Sequence, residues 1–188
     1  MLLGVDLGNH NIKTSNKKII ANKLSTKESI LNTSTKMVFK GIEYTIGEGE
    51  YDTQYNKATK ENLLIMLFAT IAISSTDTVN QIVTGLPIQY YKKNKQEMKN
   101  IIMDNRMQEF ELDGVKRRII ITDIEIAPEG VSAFGSLSPF IVSQIGNRDV
   151  LIIDIGGRTT DICLYVRAVS YTHLRAHETR GNLVCRLL

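Results

Sequence analysis

The chain has 188 residues, 43% hydrophobic and 23% charged, with three prolines. That is enough apolar material for a core and excludes a disordered chain. The formal charge of +3 is too small to imply a nucleic-acid surface by itself, and two cysteines, Cys163 and Cys185, set no disulfide framework. The opening MLLGVDLG has no basic lead before Asp6, so it is not read as a signal peptide. Together these features imply a cytoplasmic protein. The apolar run Leu63 to Ile73 is too short to cross a bilayer, and no membrane association is expected.

Leu2 to Val5 is a short apolar run closed by Asp6 and Gly8, a strand and turn. Asn11 to Ser15 and Lys18 to Ala21 continue it as a meander. From Leu24 to Asn56 the chain is polar, with strand-like pieces at Lys36 to Lys40 and Glu43 to Ile46 joined by a turn at Gly41. Residues 24–57 are read as a small inserted subdomain. Thr59 is placed to cap a helix with Glu61 in its first turn, running to Ser74 and apolar nearly all round, hence buried. Gln81 to Thr84 is a strand closed by Gly85-Leu86-Pro87, and Lys92 to Met103 an amphipathic helix. Arg118 to Ile126, rich in isoleucine, is a strand. Pro128 suits the first turn of a helix with Glu129 beside it, and that helix must bend or restart near Pro139. Val150 to Ile153 reads as a buried strand ending in Asp154, Gly156 and Gly157, and Thr160 to Val166 returns as a second. Alternating strands and helices imply an α/β fold, here a mixed sheet of ribonuclease-H-like type.

The strongest internal feature is a near-repeat: LLGVDLGNHNIK at the start and VLIIDIGGRTTDI later. Both are an apolar strand, then Asp-x-Gly, then a tight turn into another strand. Such a turn can aim backbone N–H groups at phosphate oxygens. Glycine permits close approach and positive φ. An aspartate at the strand end suits a hydrated Mg²⁺. Lys13 is spaced to reach a β- or γ-phosphate as a point charge. The bland alternative is two ordinary hairpins.

At this point a family resemblance emerges. Asp6 to Lys13 resembles phosphate-loop one of the actin superfamily, and Asp154 to Asp161 resembles phosphate-loop two. IVTGLPIQYYKKNKQEMKN is similar to a segment of ParM-like plasmid-segregation proteins, and IAPEGVSAFG to the family helix that links the loops. The resemblance covers residues 1–167. It implies an N-terminal actin-type lobe of a filament-forming ATPase for plasmid or DNA segregation. ATP or GTP and Mg²⁺ would be its cofactors, and DNA would be reached only through an adaptor protein. Carried over by position, it implies that Asp6 and Asp154 hold Mg²⁺ through water. Gly8, Asn9, Asn11 and Lys13 would contact the phosphates, with Gly156, Gly157 and Thr159 on the other side. Glu129 would orient the attacking water, its alternative being a helix-start carboxylate. Asp161 is read as structural; Arg158 and His10 receive no role.

Val169 to Leu188, VSYTHLRAHETRGNLVCRLL, resembles a translated transposase sequencing adapter, with Ala168 straddling the join. Residues 168–188 are therefore expected to be a non-native tail. The His173 and His177 pair, which with Glu178 could pass for a zinc site, carries no meaning on that reading. The tail holds three Arg and one Glu; without it the chain has 20 basic against 19 acidic residues, a net of +1. Only His10 and Cys163 then remain of their kinds, which excludes a histidine- or cysteine-built metal site. In the family the nucleotide lies between two lobes, so a truncated gene is expected. The chain alone should bind nucleotide weakly and should not polymerise. Two other functions fit part of the pattern. A sugar- or acetate-kinase-type phosphotransferase shares both loops. A ribonuclease-H-like nuclease would use Asp6, Asp154 and Asp161 for two metals.

Overall fold

The computed structural model describes residues 1–27, 34–51, 54, 56–156 and 160–165. The 168–188 tail, with its His173, His177 and Glu178, lies outside the described residues, as do Gly157, Arg158 and Thr159.

The chain opens with a three-stranded antiparallel meander: β1 (Leu2–Leu7), β2 (Asn11–Thr14) and β3 (Ile19–Ala21). Four short strands follow: β4 (Lys23–Ser25), β5 (Thr35–Phe39), β6 (Ile42–Ile46) and β7 (Glu50–Tyr51). Lys40 and Gly41 both take positive φ between β5 and β6, the geometry of a tight hairpin turn. A 3₁₀ turn, Lys57–Thr59, leads into α1 (Leu63–Ser74). Next come β8 (Val79–Leu86), α2 (Ile88–Asp104) and the hairpin β9 (Met107–Leu112)/β10 (Val115–Pro128). Two short helices, α3 (Val131–Gly135) and α4 (Pro139–Ile145), precede β11 (Val150–Ile155) and β12 (Thr160–Tyr165).

Ten strands make one mixed sheet in the order β3–β2–β1–β8–β10–β9–β5–β6–β4–β7, and β11 with β12 make a second, two-stranded one. The central pairs β1–β8 and β8–β10 are parallel; the remaining pairs are antiparallel. The mixed α/β architecture is the one expected. Residues 24–51 join the rest of the sheet through β5 and β9, where Met37 pairs with Leu112 and Val38 with Glu111.

Alternation explains which side chains enter the core. Leu3, Val5 and Leu7 of β1 point inward, as do Ile82 and Leu86 of β8. In β10 the buried set is Ile119, Ile121, Ile124 and Ile126, which changes parity midway. A bulge between Ile121 and Asp123 supplies the extra residue, so both isoleucine pairs stay on one face. α1 adds Met66, Leu67, Phe68 and Ile71, and α2 adds Met98 and Ile102 to the same core.

Several expectations need correction. The buried helix begins at Leu63 rather than Thr59. Lys60 is extended at φ −61° and ψ 134°, and this separates the 3₁₀ turn from α1. The turn is capped by Asn56, whose side chain accepts from the Ala58 N–H. α2 starts directly after Pro87, earlier than Lys92. β9 was not expected. Pro128 does not open a helix: it ends β10 opposite Leu86, and Gly130, at φ 81°, starts α3 after Glu129. The restart at Pro139 is as expected. β11 is not buried: Leu151, Ile153 and Ile155 are exposed, because β11 pairs with β12 alone among the described strands.

Candidate functional site

The three parallel strands β1, β8 and β10 run in one direction and end on one edge of the sheet. Loops at the carboxyl ends of parallel strands are where open α/β sheets bind ligands. A cleft of about 220 Å³ lies there, lined by Asp6, Gly8, Asn9, His10, Asn11, Lys13, Lys57, Glu129, Asp154, Ile155 and Gly156. Complete small-molecule sites are commonly about 300–1,000 Å³, so this volume suits a compact polar group better than a whole nucleotide.

The first wall is the β1–β2 hairpin. Asp6 pairs across it with Lys13, and the two side chains form an exposed ion pair at 3.8 Å. Asp6 faces away from the core because Val5 and Leu7 face into it. A Cβ at Gly8 would lie 2.3 Å from the Asn11 carbonyl oxygen. Glycine is therefore required by the turn's own backbone, not by a positive φ. The loop is held from outside: Asn22 donates its side-chain amide to the Gly8 carbonyl at 2.8 Å, and its backbone N–H donates to the His10 carbonyl at 2.8 Å. The His10 ring stacks on Tyr51 at 4.3 Å between centroids.

The second wall is the β11–β12 hairpin, where Asp154 pairs with Asp161 and Ile155 with Thr160. The register is analogous to the first hairpin, and Asp154 and Gly156 reach the same cleft. This hairpin docks on the Glu129–Gly130 turn. The Tyr165 hydroxyl donates to the Gly130 carbonyl at 3.1 Å, Cys163 Sγ lies 3.7 Å from the Glu129 carbonyl, and Tyr165 stacks on Phe134 at 4.4 Å. Burial, with a smaller contribution from Cys163, raises the Tyr165 phenol above its ordinary pKa, so it stays a neutral donor.

The floor holds residues that sequence reasoning missed. Lys57 Nζ donates to Glu129 Oε1 at 2.7 Å, with side chains only 7% and 14% exposed. Lys60 Nζ donates to Asn9 Oδ1 at 3.1 Å. The turn carrying them is braced from α2, where the buried Asn94 donates its amide to Asn56 Oδ1 at 2.7 Å. Nothing in NKATK marks these lysines. They sit in a polar stretch, and only the fold brings them under the cleft. Gly85 does more than close its strand: a Cβ there would lie 2.9 Å from Glu129 Cγ.

Asp6, Gly8, Asn9, Asn11, Lys13, Glu129, Asp154 and Gly156 thus share one cleft, while Gly157 and Thr159 lie outside the described residues. The donor set fits a metal-bound polyphosphate. Lys13 and Lys57 line the cleft together with the carboxylates of Asp6, Glu129 and Asp154, and the tight Gly8 turn keeps the first wall free of bulk.

A family model described as the N-terminal domain of actin-like proteins matches residues 4–131. The chain belongs to the actin-like proteins. No curated protein matches it. Among solved structures it is similar to filamentous AlfA from a Bacillus subtilis plasmid, at 16% identity and TM-score 0.69. That match covers 96% of this chain and 72% of AlfA. Ta0583, an archaeal actin homologue in complex with ADP, matches at 17% identity and TM-score 0.72, covering 94% of this chain and 58% of Ta0583. The psk41 ParM protein matches at 17% identity and TM-score 0.66, covering 88% and 61%. These likenesses establish the actin-like lobe fold. No helix among the described residues is long and apolar enough to cross a membrane.

Proposed function

We propose that this actin-like chain grips the triphosphate tail of ATP, or of GTP, with Mg²⁺ between its two hairpins. It forms one side of a filament-forming nucleotide hydrolase, cytoplasmic, which moves DNA through an adaptor protein. The observation that carries the reading is convergence. Asp6 and Asp154 end equivalent strands in two separate sheets, yet both line one cleft with Lys13 and Glu129. Ordinary hairpins with Asp-x-Gly turns would have no reason to meet.

In this reading Asp6 and Asp154 hold Mg²⁺ through water, and the ion neutralises charge on the phosphates. Lys13 with Gly8, Asn9 and Asn11 faces the phosphates from one side. Gly156 faces them from the other, and the family resemblance assigns phosphate contacts to Gly157 and Thr159 as well. Glu129 orients water for attack on the terminal phosphorus. The AlfA filament bound to AMPPNP and the ADP complex of Ta0583 support nucleotide binding and self-association as properties to test here. The family match favours the filament over the sugar- or acetate-kinase alternative. The same match favours the filament over the nuclease alternative.

The test is a ³¹P NMR titration of the chain with ATP, with and without Mg²⁺. Wild type should shift the phosphate resonances in a Mg²⁺-dependent way, and Asp6→Ala and Asp154→Ala should lose that dependence. An absence of any shift for wild type at millimolar concentrations overturns the nucleotide reading. Pelleting of a two-lobed form of the protein with ATP but not ADP then separates filament from kinase.

A further inference from the structure

We propose that Lys57 is the terminal-phosphate contact of the cleft. It would set the preference for nucleoside triphosphate over diphosphate while holding Glu129 in place. The inference rests on the nucleotide reading above and deepens it.

Three observations carry it. First, Lys57 is buried yet lines the cleft, with its ammonium 2.7 Å from the Glu129 carboxylate. An ammonium has three donors, and the bond to Glu129 Oε1 uses one of them, so Lys57 can serve that carboxylate and an anion in the cleft together. Since Glu129 is the group placed at the reacting phosphorus, whatever touches it also neighbours the terminal phosphate.

Second, the chain interrupts regular structure to bring this lysine inward. The 3₁₀ turn and α1 are separated by an extended Lys60. Lys57 lines the cleft and meets Glu129 just after β10, while Lys60, three positions on, meets Asn9 in the first hairpin. The Asn94–Asn56 hydrogen bond fixes that arrangement from α2.

Third, a buried ion pair is a poor stabilising device, since well-packed apolar side chains of similar size serve as well or better. Lys57 at the floor of a polar cleft makes sense as a ligand contact rather than as a staple. A phosphate oxygen arriving there gains a charge-assisted hydrogen bond from a group already aimed and desolvated.

The test compares ATP and ADP affinities, each with Mg²⁺, by ³¹P NMR titration of wild type, Lys57→Gln and Lys57→Arg. Glutamine can still donate to Glu129, which protects the fold, and circular dichroism and the melting profile verify it. The expected result is a selective loss: ATP affinity in Lys57→Gln falls by about tenfold or more, ADP affinity changes little, and Lys57→Arg recovers most of the preference. Equal losses for ATP and ADP, or no loss, overturn the role given to Lys57 and leave the nucleotide reading standing. Wild type that binds neither nucleotide sinks both. Should Lys57→Gln fail to fold, Lys57→Met is measured in its place: a selective loss of ATP affinity supports the phosphate contact, and equal losses for ATP and ADP, or none, refute it.

Discussion

Gly85 and Glu129 are matched in size: a methyl group on the glycine would stand 2.9 Å from Glu129 Cγ and 3.3 Å from its Oε1. Gly85 lies in β8 opposite Ala127 of β10, so the end of one parallel strand shapes the side chain that follows the end of the next. The nearest atom is Cγ, close to the backbone of Glu129, and the carboxylate beyond it is held by the buried pair with Lys57. Gly85→Ala should therefore cost about 1–3 kcal/mol, several degrees in Tm. It should re-aim Glu129 and loosen its bond to Lys57. Where turnover can be measured, it should drop by about tenfold or more at unchanged nucleotide affinity. A melting curve with a kinetic assay checks both halves, and wild-type turnover would remove the positional role given to Glu129.

Gly130 carries a different kind of constraint. Its φ of 81° is unfavourable for a side chain, and a Cβ would fall 2.1 Å from Cys163 Sγ. Here the obstacle is the strand that holds the second hairpin. Gly130→Ala should cost about 2–4 kcal/mol, combining the left-handed penalty with overpacking. Relief should come in part from Gly130→Ala/Cys163→Ala, which removes the sulfur but leaves the φ cost. Urea denaturation of the three variants and wild type measures this. Additive losses would show that β12 is not packed against the turn.

The contrast between these two glycines indicates what the sequence could disclose. Asp6, Gly8, Lys13, Asp154 and Gly156 were legible because each hairpin repeats an apolar strand and Asp-x-Gly, a pattern local in the chain. Lys57, Lys60 and the packing role of Gly85 were not legible, because each acts on a residue dozens of positions away. β9 was missed because the adjacent polar residues Gln108 and Glu109 break the alternation of MQEFEL, which also has no β-branched residue to mark it. Glu129 was placed in a helix start because proline favours that position. The parallel pairing of Pro128 with Leu86 keeps the backbone extended until Gly130 turns it. β11 looked buried because VLII is continuously apolar. Periodicity cannot say whether another layer covers a strand.

The bulge in β10 gives a sharper test of the fold. Thr122 is the extra residue between Ile121 and Asp123, and its hydroxyl donates to the Asn80 carbonyl at 3.2 Å. Thr122→Ala removes one partly buried hydrogen bond and should cost about 1 kcal/mol. Deleting Thr122 instead shifts the strand by one position, so either Ile119 and Ile121 or Ile124 and Ile126 must leave the core. Losing two buried isoleucines costs at least about 4 kcal/mol, enough to unfold a marginally stable domain. Circular dichroism and urea titration separate the two cases, and a deletion variant as stable as Thr122→Ala would refute the register argument.

The last prediction concerns pH and the exposed pair between α2 and β10. Lys95 Nζ lies 2.8 Å from Glu125 Oε1. The hydrogen bond from Lys95, with its charge, lowers the Glu125 pKa below its ordinary value; bonds to Glu125 and Tyr91 raise that of Lys95. A carboxylate with a depressed folded-state pKa binds fewer protons folded than unfolded. Its contribution is thus present above the ordinary pKa near 4.5 and is lost as pH falls through the lower folded value. For the lysine the sign reverses: its share is complete below 10.5 and fades as pH climbs through the raised value. Both side chains are largely solvated, so screening limits the pair to below about 1 kcal/mol. Glu125→Gln should therefore destabilise slightly at pH 7. The difference from wild type should shrink toward zero in acid once Glu125 is protonated in both states, and shrink again in strong salt. Urea midpoints at pH 7 and pH 3, each at low and high ionic strength, provide the measurement. A difference that persists unchanged in acid would mean that the pair contributes through packing of its aliphatic stems rather than through charge.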